Sequence, residues 1–266
     1  MDLNGKRYAF LGGGIIAGVF IERLIQGANV PPDNILATDI RPERLDQLAK
    51  QYGIRTSSEN GEGAAFGEVV FLAVPPNAVK PVVKEVRGEL RPEALLVSLA
   101  AAVPTAAIEE AVGRPAPVVR VIPNTPSWIG RGMNPHCLGR HVREADLSFL
   151  DRLLAAFGET VRLEETLMNA ATALTAMGPT YVFPVIQAMA GAAAGLGLPE
   201  PVALRAAAQT VLGAAWLVLE TGRTPGELKE MISMRTLPEP EVERLFAGAI
   251  EAAYAKISAA EKKLAG

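Results

Sequence analysis

The residues best suited to chemistry in this sequence form a glycine-rich turn close to the start of the chain. Gly12, Gly14 and Ala17 fill the spacing G-x-G-x-x-G/A between an apolar run of strand type and an amphipathic stretch of helix type. In this pattern the first glycine permits a tight turn, the second lets the backbone approach a pyrophosphate, and the alanine lets the helix lie close to the sheet. Unpaired amides at a helix N-terminus bind phosphates. The turn therefore predicts a dinucleotide site, which includes Ile15 and Ile16 at the helix start.

A carboxylate and a guanidinium follow the second predicted strand. Asp39 lies where dinucleotide sites place the acidic residue that binds the adenosine ribose. Its charge favours NAD because it would repel a 2′-phosphate, whereas Arg41, two residues later, is able to receive that phosphate. The sequence therefore predicts NAD or NADP as the cofactor, with a preference for NAD.

Further residues of the predicted site follow the third predicted strand. They are Ala73, Val74, Pro75 and Asn77. Open α/β folds place ligands at the carboxyl ends of their strands, which predicts that these residues flank the cofactor. A plainer alternative stays open, a proline turn with an asparagine helix cap at 73–77.

His136, Cys137 and His141 lie close together, which raises the question of zinc. A structural zinc site needs four ligands, and the sequence holds no other cysteine or histidine. We therefore expect no metal and interpret the three as ordinary strand or turn residues. No nucleophile elbow or Walker phosphate loop occurs, which leaves hydrolysis and phosphoryl transfer without support.

The predicted site depends on a particular order of strands and helices. From about residue 7 to 160, short β-branched runs alternate with amphipathic stretches, the order that builds a parallel sheet flanked by helices. The predicted strands are Tyr8–Leu11, Ile35–Thr38, Val69–Ala73, Leu95–Ser98, Val118–Val121 and Val161–Leu163. Beyond Thr166 helix formers dominate, with helix breaks predicted at 178–179, 197–201, 222–225 and 237–240. We therefore predict the α/β class, with a doubly wound Rossmann domain over 1–164 and an all-α domain over 165–266.

Composition narrows the class of protein. The chain has 266 residues, 49% of them apolar, and a net charge of −3, and its basic residues are scattered. This predicts no nucleic acid and no membrane as partner, and favours a small anionic metabolite. Because Cys137 stands alone and the first residues lack a signal-peptide pattern, we expect a cytoplasmic protein. The stretch 166–199 carries no charge, but it is alanine-rich and broken by glycine and proline, so no membrane span is expected there.

Several strings of residues together resemble the pyrroline-5-carboxylate reductases, which reduce a cyclic imine with NAD(P)H in proline biosynthesis. The most specific is 120–126, Arg-Val-Ile-Pro-Asn-Thr-Pro, which is similar to the family's Arg-x-Met-Pro-Asn-Thr-Pro. Residues 73–77, 98–103 and 173–183 are similar to Ala-Val-Lys-Pro-Gln, Ser-Ile-Ala-Ala-Gly-Val and Ala-Leu-Ser-Gly-Ser-Gly-Pro-Ala-Tyr-Val-Phe. The resemblance implies an anionic cyclic imine as substrate, and a helical domain that pairs two chains and places each active site at the subunit interface. It also implies that Ala100 and Asn124 lie beside the cofactor. For Asn124 the alternative stays open of a buried turn whose side chain caps the backbone.

The resemblance fails at one loop. The family's Val-Thr-Ser-Pro-Gly-Gly-Thr-Thr turn holds the substrate, whereas residues 232–239 read Ile-Ser-Met-Arg-Thr-Leu-Pro-Glu. Both turn glycines are absent, and other residues resist positive φ. We hypothesise that Arg235 binds a substrate carboxylate and that Glu239 stabilises or supplies the iminium proton, with Thr236 counted among the catalytic candidates. The alternative is a surface ion pair of Arg235 and Glu239 without a catalytic role.

These observations favour an NAD(P)H-dependent reductase of a small cyclic imine, most simply pyrroline-5-carboxylate, that acts as a homodimer or larger homo-oligomer. Two alternatives remain. A divergent imine or ketimine reductase, or an amino-acid dehydrogenase, would keep the scaffold and exchange the substrate loop. A non-catalytic dinucleotide-binding regulator would keep Gly12, Gly14 and Ala17 and show no turnover.

Overall fold

One eight-stranded sheet organises the first part of the chain in the computed structural model, which describes residues 3–265. The strands are β1 (Tyr8–Leu11), β2 (Ile35–Thr38), β3 (Arg55–Ser57), β4 (Val69–Leu72), β5 (Leu95–Ser98), β6 (Val118–Val121), β7 (Gly132–Leu138) and β8 (Gly158–Arg162). Their order across the sheet is β3-β2-β1-β4-β5-β6-β7-β8. All neighbours pair in parallel except β6 and β7. The predicted doubly wound parallel sheet is confirmed, with one antiparallel strand pair added.

Helices cover both faces of the sheet. They are α1 (Ile15–Ala28), α2 (Pro42–Tyr52), α3 (Asn60–Phe66), α4 (Pro76–Val86), α5 (Thr105–Val112) and α6 (Glu144–Ala155). Successive strand side chains point to opposite faces. Tyr8 and Phe10 of β1 therefore join one core with α1 and α6, and Ala9 and Leu11 join another with α4 and α5. Burial on both faces explains why the central strands are continuous apolar runs.

Helix α2 has clear sequence signals at both ends. Pro42 occupies its first turn, where a missing N–H costs nothing, and Glu43 there complements the helix dipole. Gly53 ends the helix in the left-handed conformation, with φ of 68°. These signals define where α2 begins and where it ends.

The sequence missed two strands. β3 has only three polar residues at the sheet edge, and β7 contains Gly132, Asn134 and Pro135, which are residues typical of turns. β7 is a strand because its neighbours β6 and β8 supply hydrogen-bonding partners on both sides. The predicted strand at 161–163 lies instead at Gly158–Arg162. His136 and Cys137 lie on β7.

The chain divides into two compact units, of which the first ends at Met177 and resumes at Glu251, and the second is Gly178–Ile250. The later helices are α7 (Met168–Thr175), α8 (Gly178–Gly195), α9 (Glu200–Thr221), α10 (Pro225–Lys229) and α11 (Glu239–Ala265). The predicted helix breaks coincide with the starts of α8, α9, α10 and α11. The units differ from the predicted division at 164 and 165, because α7 packs on β7 and the end of α11 belongs to the first unit. That division stays a prediction.

Helix α9 is long and apolar enough to cross a membrane by length and composition, the one such helix among the described residues. Large apolar side chains of α9 are exposed in the single chain, among them Leu204, Leu212, Trp216 and Leu219. An exposed apolar surface of this kind marks an interaction site. Length and hydropathy alone do not distinguish lipid from protein as the surface that covers this helix.

A buried arginine ties the end of α11 to the sheet. The Arg120 side chain on β6 is 0% exposed, and its Nη1 lies 2.5 Å from Oε1 of Glu165 and 3.7 Å from Oε1 of Glu261. Glu165 also accepts hydrogen bonds from the backbone amide and the hydroxyl of Thr105, at 2.9 and 2.8 Å. Asn169 donates to Glu261 at 2.6 Å. The guanidinium thus has two carboxylates for one buried charge.

Candidate functional site

A cleft of about 800 Å³ opens at the carboxyl edge of the sheet. It lies between the loops that follow β1 and β4. The chain connections on the two sides of this point run in opposite directions along the sheet, and open α/β sheets bind ligands at such a point. All the predicted cofactor residues line the cleft except Ala17 and Asn124. The cleft has further lining residues that the sequence pattern did not indicate, among them Ile40, Asn60, Pro76, Leu99 and Ala101. Each of these is the chain neighbour of a predicted residue except Asn60, which no local signal identifies.

The two glycines of the turn differ in their surroundings. Gly12 has φ of +99°, and a Cβ added to it would lie 2.8 Å from the backbone carbonyl carbon and oxygen of Ala73. A Cβ added to Gly14 would meet no atom within 4 Å, although Gly14 lines the cleft. Gly12 is therefore required by the fold, whereas Gly14 has open space beside it in the cleft.

Ala17 does not line the cleft. Its side chain is fully buried in the core between α1 and the sheet. Among the residues predicted for the cofactor site, Ala17 therefore acts through helix packing, the role that its small side chain has in this pattern, and does not line the cleft. Ile15 and Ile16 do line the cleft, and the Ile15 side chain is 83% exposed there. An exposed aliphatic side chain beside an open turn suits contact with a flat ring.

Asp39 lies at the end of the cleft with all its acceptor sites engaged. Its Oδ2 accepts hydrogen bonds from the Gly13 amide at 3.0 Å and from Nη2 of Arg41 at 2.9 Å. Its Oδ1 accepts from Nε and the amide of Arg41, at 2.9 and 3.0 Å. A carboxylate offers about four lone-pair sites. A ribose hydroxyl therefore binds Asp39 only by displacing part of Arg41.

The charge of this carboxylate is stabilised by its partners. The hydrogen bond from the Arg41 side chain is the main cause that lowers the pKa of Asp39, and burial opposes it. Backbone amides of Arg41 and Gly13 lower the pKa further. Asp39 is therefore an anion at neutral pH, and its charge repels a phosphate.

The turn after β4 enters the cleft as predicted, but without an asparagine cap. Pro75 stands at the N-cap of α4 and makes no side-chain cap, and Asn77 lies exposed in the first turn of the helix. Beyond β5, Ala102 has a left-handed backbone with φ of 61°. This conformation costs a non-glycine residue about 1–2 kcal/mol. The loop at Ala100 is thus held by its surroundings.

The side chain of Asn124 is occupied by the backbone. Its Nδ2 donates to the Thr175 carbonyl at 3.1 Å, and its Oδ1 accepts from the Met133 amide at 3.1 Å. These contacts correspond to the alternative of a turn stabilised by its own side chain. The asparagine joins the end of β6 to β7 and α7, and does not line the cleft.

The three catalytic candidates lie in the second unit, between α10 and the start of α11. Arg235 forms hydrogen-bonded ion pairs with Glu230 at 2.8 and 3.1 Å, and Glu239 pairs with Lys229. Arg235 and Glu239 therefore have other ion-pair partners, and the pair between the two that the sequence offered as an alternative is not formed. Lys229 is the main cause that lowers the pKa of Glu239. Thr236 is exposed in the same loop.

Two family models match the chain. The one described as pyrroline-5-carboxylate reductase dimerisation matches residues 165–260, and the one described as NADP oxidoreductase, coenzyme F420-dependent, matches residues 7–102. A curated pyrroline-5-carboxylate reductase of Methanosarcina acetivorans is 36% identical over 87% of this chain and 86% of its own length. That of Escherichia coli is 32% identical over 85% and 84%.

Solved structures resemble the whole chain. A pyrroline-5-carboxylate reductase from Coxiella burnetii has a TM-score of 0.84 at 29% identity and covers 97% of this chain and 99% of its own. The Plasmodium falciparum pyrroline carboxylate reductase with NADP bound has a TM-score of 0.87 at 22% identity, with the same coverage. At 22% identity, the likeness to the Plasmodium falciparum structure shows the fold alone.

Proposed function

The chain belongs to the pyrroline-5-carboxylate reductase family, and on that premise we propose that it reduces the C=N bond of pyrroline-5-carboxylate to give proline, with a nicotinamide dinucleotide as reductant. The observation that carries the proposal is the cleft at the β1 and β4 ends, where a glycine turn, an anionic Asp39 and the start of α1 meet. Membership of the family makes the protein an NAD(P)-dependent oxidoreductase that acts on C=N bonds.

The residues of the cleft fit such a cofactor. Gly14 leaves free the space in which a Cβ would stand, and α1 begins beside it with amides that have no partner within the helix. Gly14 and Ile15 are proposed to hold the diphosphate, and Asp39 the adenosine ribose. The bound reduced nicotinamide supplies the hydride. The chain has to orient the imine, exclude water and keep the nitrogen protonated.

For the substrate, Arg235, Thr236 and Glu239 remain our proposed catalytic residues. The guanidinium of Arg235 is able to bind the substrate carboxylate if it leaves Glu230, with which it now pairs. The lowered pKa of Glu239 suits a carboxylate that stabilises a cationic iminium by its charge, and does not suit a proton donor at neutral pH. The proposal therefore keeps the stabilising role.

The first test is an assay of the purified chain. We expect oxidation of NADH or NADPH on addition of pyrroline-5-carboxylate, with proline detected by mass spectrometry. Cofactor binding without oxidation across a panel of cyclic imines would instead identify a regulator. Oxidation with other imines and not with pyrroline-5-carboxylate would identify a divergent imine or ketimine reductase, which the altered loop 232–239 favours as second candidate.

We propose that the cofactor preference is set by Asp39 and Arg41, with NADH preferred. Asp39→Ser removes the charge that repels a 2′-phosphate and frees Arg41 to bind it. We expect this change to shift the ratio of kcat/KM for NADPH over NADH upward by about 10-fold, equal to about 1.4 kcal/mol. Arg41→Ala should shift the same ratio downward. Shifts of the same sign in both variants would contradict this assignment.

The altered loop gives a separate prediction. Arg235→Ala should raise KM for the imine by about 10- to 100-fold, because a hydrogen bond to a charged group contributes about 1.5–3 kcal/mol. Glu239→Gln should lower kcat by a similar factor and leave KM for the cofactor unchanged. Arg223→Ala and Glu220→Gln remove the same charges elsewhere on the second unit and serve as controls. Wild-type kinetics in both loop variants would exclude these roles.

We also propose a cytoplasmic homodimer or larger homo-oligomer. The apolar surface of α9 is exposed in the single chain, and the family model described as dimerisation covers this helix. Burial of such a surface between two subunits is favourable. A second copy of the chain is thus its proposed partner.

A further inference from the structure

The side chain of Arg44, on α2, forms hydrogen bonds with the backbone of the glycine turn. Its Nε donates a hydrogen bond to the Gly13 carbonyl, and its Nη2 donates to the Gly14 carbonyl at 3.2 Å. Nη1 donates to Oε1 of Gln47 at 3.3 Å. Gly18 leaves room for the guanidinium, since a Cβ there would lie 3.0 Å from Nη2. All three nitrogens of Arg44 are therefore engaged, two of them with the turn.

These two hydrogen bonds act on two consecutive peptide groups. The second peptide is also held by the helix, because the Gly18 amide donates to the Gly14 carbonyl at 3.1 Å. A trans peptide is planar, and its N–H points away from its own C=O. Because the carbonyls of Gly13 and Gly14 face Arg44, the N–H groups of Gly14 and Ile15 point away from it. In the part of the chain that the structure describes, Gly14 and Ile15 line the cleft, whereas Gly13 and Arg44 are not among its lining residues. The two N–H groups thus point to the side on which the cleft lies.

The preceding amides of the turn are already used within the chain. The Gly12 amide donates to the Thr38 carbonyl at 3.0 Å, and the Gly13 amide donates to Asp39 at 3.0 Å. The amides at a helix start have no intrahelical acceptor. Gly14 and Ile15 are therefore the first residues of the turn whose N–H groups remain available to a ligand. Arg44 holds the Gly13 carbonyl and, together with the Gly18 amide, the Gly14 carbonyl.

We infer that Arg44 is a positioning residue for dinucleotide binding, one that acts on the diphosphate through the backbone of the turn. The inference rests on the proposed function, since it assumes that the cleft takes the cofactor. Glycine peptides are the ones most free to rotate, so a turn without this support has to be ordered when the ligand binds. A guanidinium spans two carbonyls with fixed geometry, which a lysine ammonium does not do.

The test compares Arg44→Met and Arg44→Lys with wild type. Dissociation constants for NADH, NADPH and ADP-ribose are measured by calorimetry, and for adenosine by ligand-observed NMR. Arg44→Met should weaken the three diphosphate ligands by about 10-fold and leave adenosine binding unchanged, with kcat at saturating cofactor close to wild type. Arg44→Lys should restore little of this loss. Lys50→Met removes a charge from the last turn of the same helix and should change nothing.

Several outcomes would overturn the inference. Equal losses for ADP-ribose and adenosine, with a lower melting temperature, would show a merely structural role. Wild-type affinity in Arg44→Lys, or the same loss in Lys50→Met, would show an effect of charge alone. Unchanged binding in Arg44→Met, when wild type binds, would remove the inference and leave the proposed function intact. Wild type that binds neither reduced dinucleotide would remove both.

Discussion

Gly14→Val is expected to weaken dinucleotide binding by about 100-fold or more while the melting temperature stays near that of wild type. A Cβ at this position meets no protein atom within 4 Å, so the fold has room for the side chain. The same side chain occupies the face of the turn from which the amides of Gly14 and Ile15 would reach a diphosphate. Two hydrogen bonds to a charged group, at about 1.5–3 kcal/mol each, correspond to at least this loss.

Two further variants separate an effect on cofactor binding from an effect on stability. Gly88→Val adds a side chain at another glycine with open space, in the turn between α4 and β5, and should bind cofactor normally. Gly12→Ala places a Cβ against the Ala73 backbone at a positive φ, and should lower the stability by about 2 kcal/mol or more. Calorimetric titration and thermal unfolding separate the two effects. Wild-type affinity in Gly14→Val would show that the diphosphate binds elsewhere.

Glu165→Gln combined with Glu261→Gln is expected to cause the largest loss of stability, about 3–5 kcal/mol. The change leaves the guanidinium of Arg120, which is 0% exposed, without either of its carboxylates. For a chain of this size the loss corresponds to a fall in melting temperature of about 6–20 °C. Thermal unfolding followed by circular dichroism measures it.

Arg120→Met should be less harmful than that double variant. The two carboxylates are partly exposed, at 31% and 26%, so water hydrates them once the arginine is gone. Adding Arg120→Met to the double variant should therefore recover much of the lost stability, because no buried charge remains. A triple variant less stable than the double one would show that Arg120 acts mainly through packing.

The same cluster predicts a pH dependence. Burial raises the pKa of Glu165, but hydrogen bonds from Thr105 and the charge of Arg120 outweigh it, so the pKa lies below the ordinary 4.5. A lowered folded-state pKa contributes stability above the unfolded value, and that contribution is lost as pH falls through the folded pKa. Wild type should therefore lose stability below about pH 4.5 more steeply than Glu165→Gln.

Local patterns were sufficient for much of the fold. Strands β1, β2, β5 and β6 have the predicted bounds, because each is a short apolar run buried on both faces. Strand β7 was not predictable in this way. Its glycine and proline oppose a strand locally, and only hydrogen bonds to two distant neighbours outweigh that preference.

For the site, the sequence by itself indicated a nicotinamide dinucleotide and predicted the loop that we propose to receive it. The spacing of Gly12 and Gly14 between a strand and a helix is a pattern within a few residues, and its physical meaning is local. The tertiary structure decided which groups hold that loop. Arg44 and Gly13 stand 31 positions apart, and their hydrogen bond exists only because α2 packs beside α1.

The same difference between local patterns and tertiary packing explains why the predicted partners of other side chains differ from those in the structure. Asn124 turned out to be bound to Thr175 and Met133, and Arg235 to Glu230, because side-chain partners depend on distances that no short pattern encodes. A residue type states which hydrogen bonds a side chain is able to make. Which of them it makes is decided by the packing of elements that lie far apart along the chain.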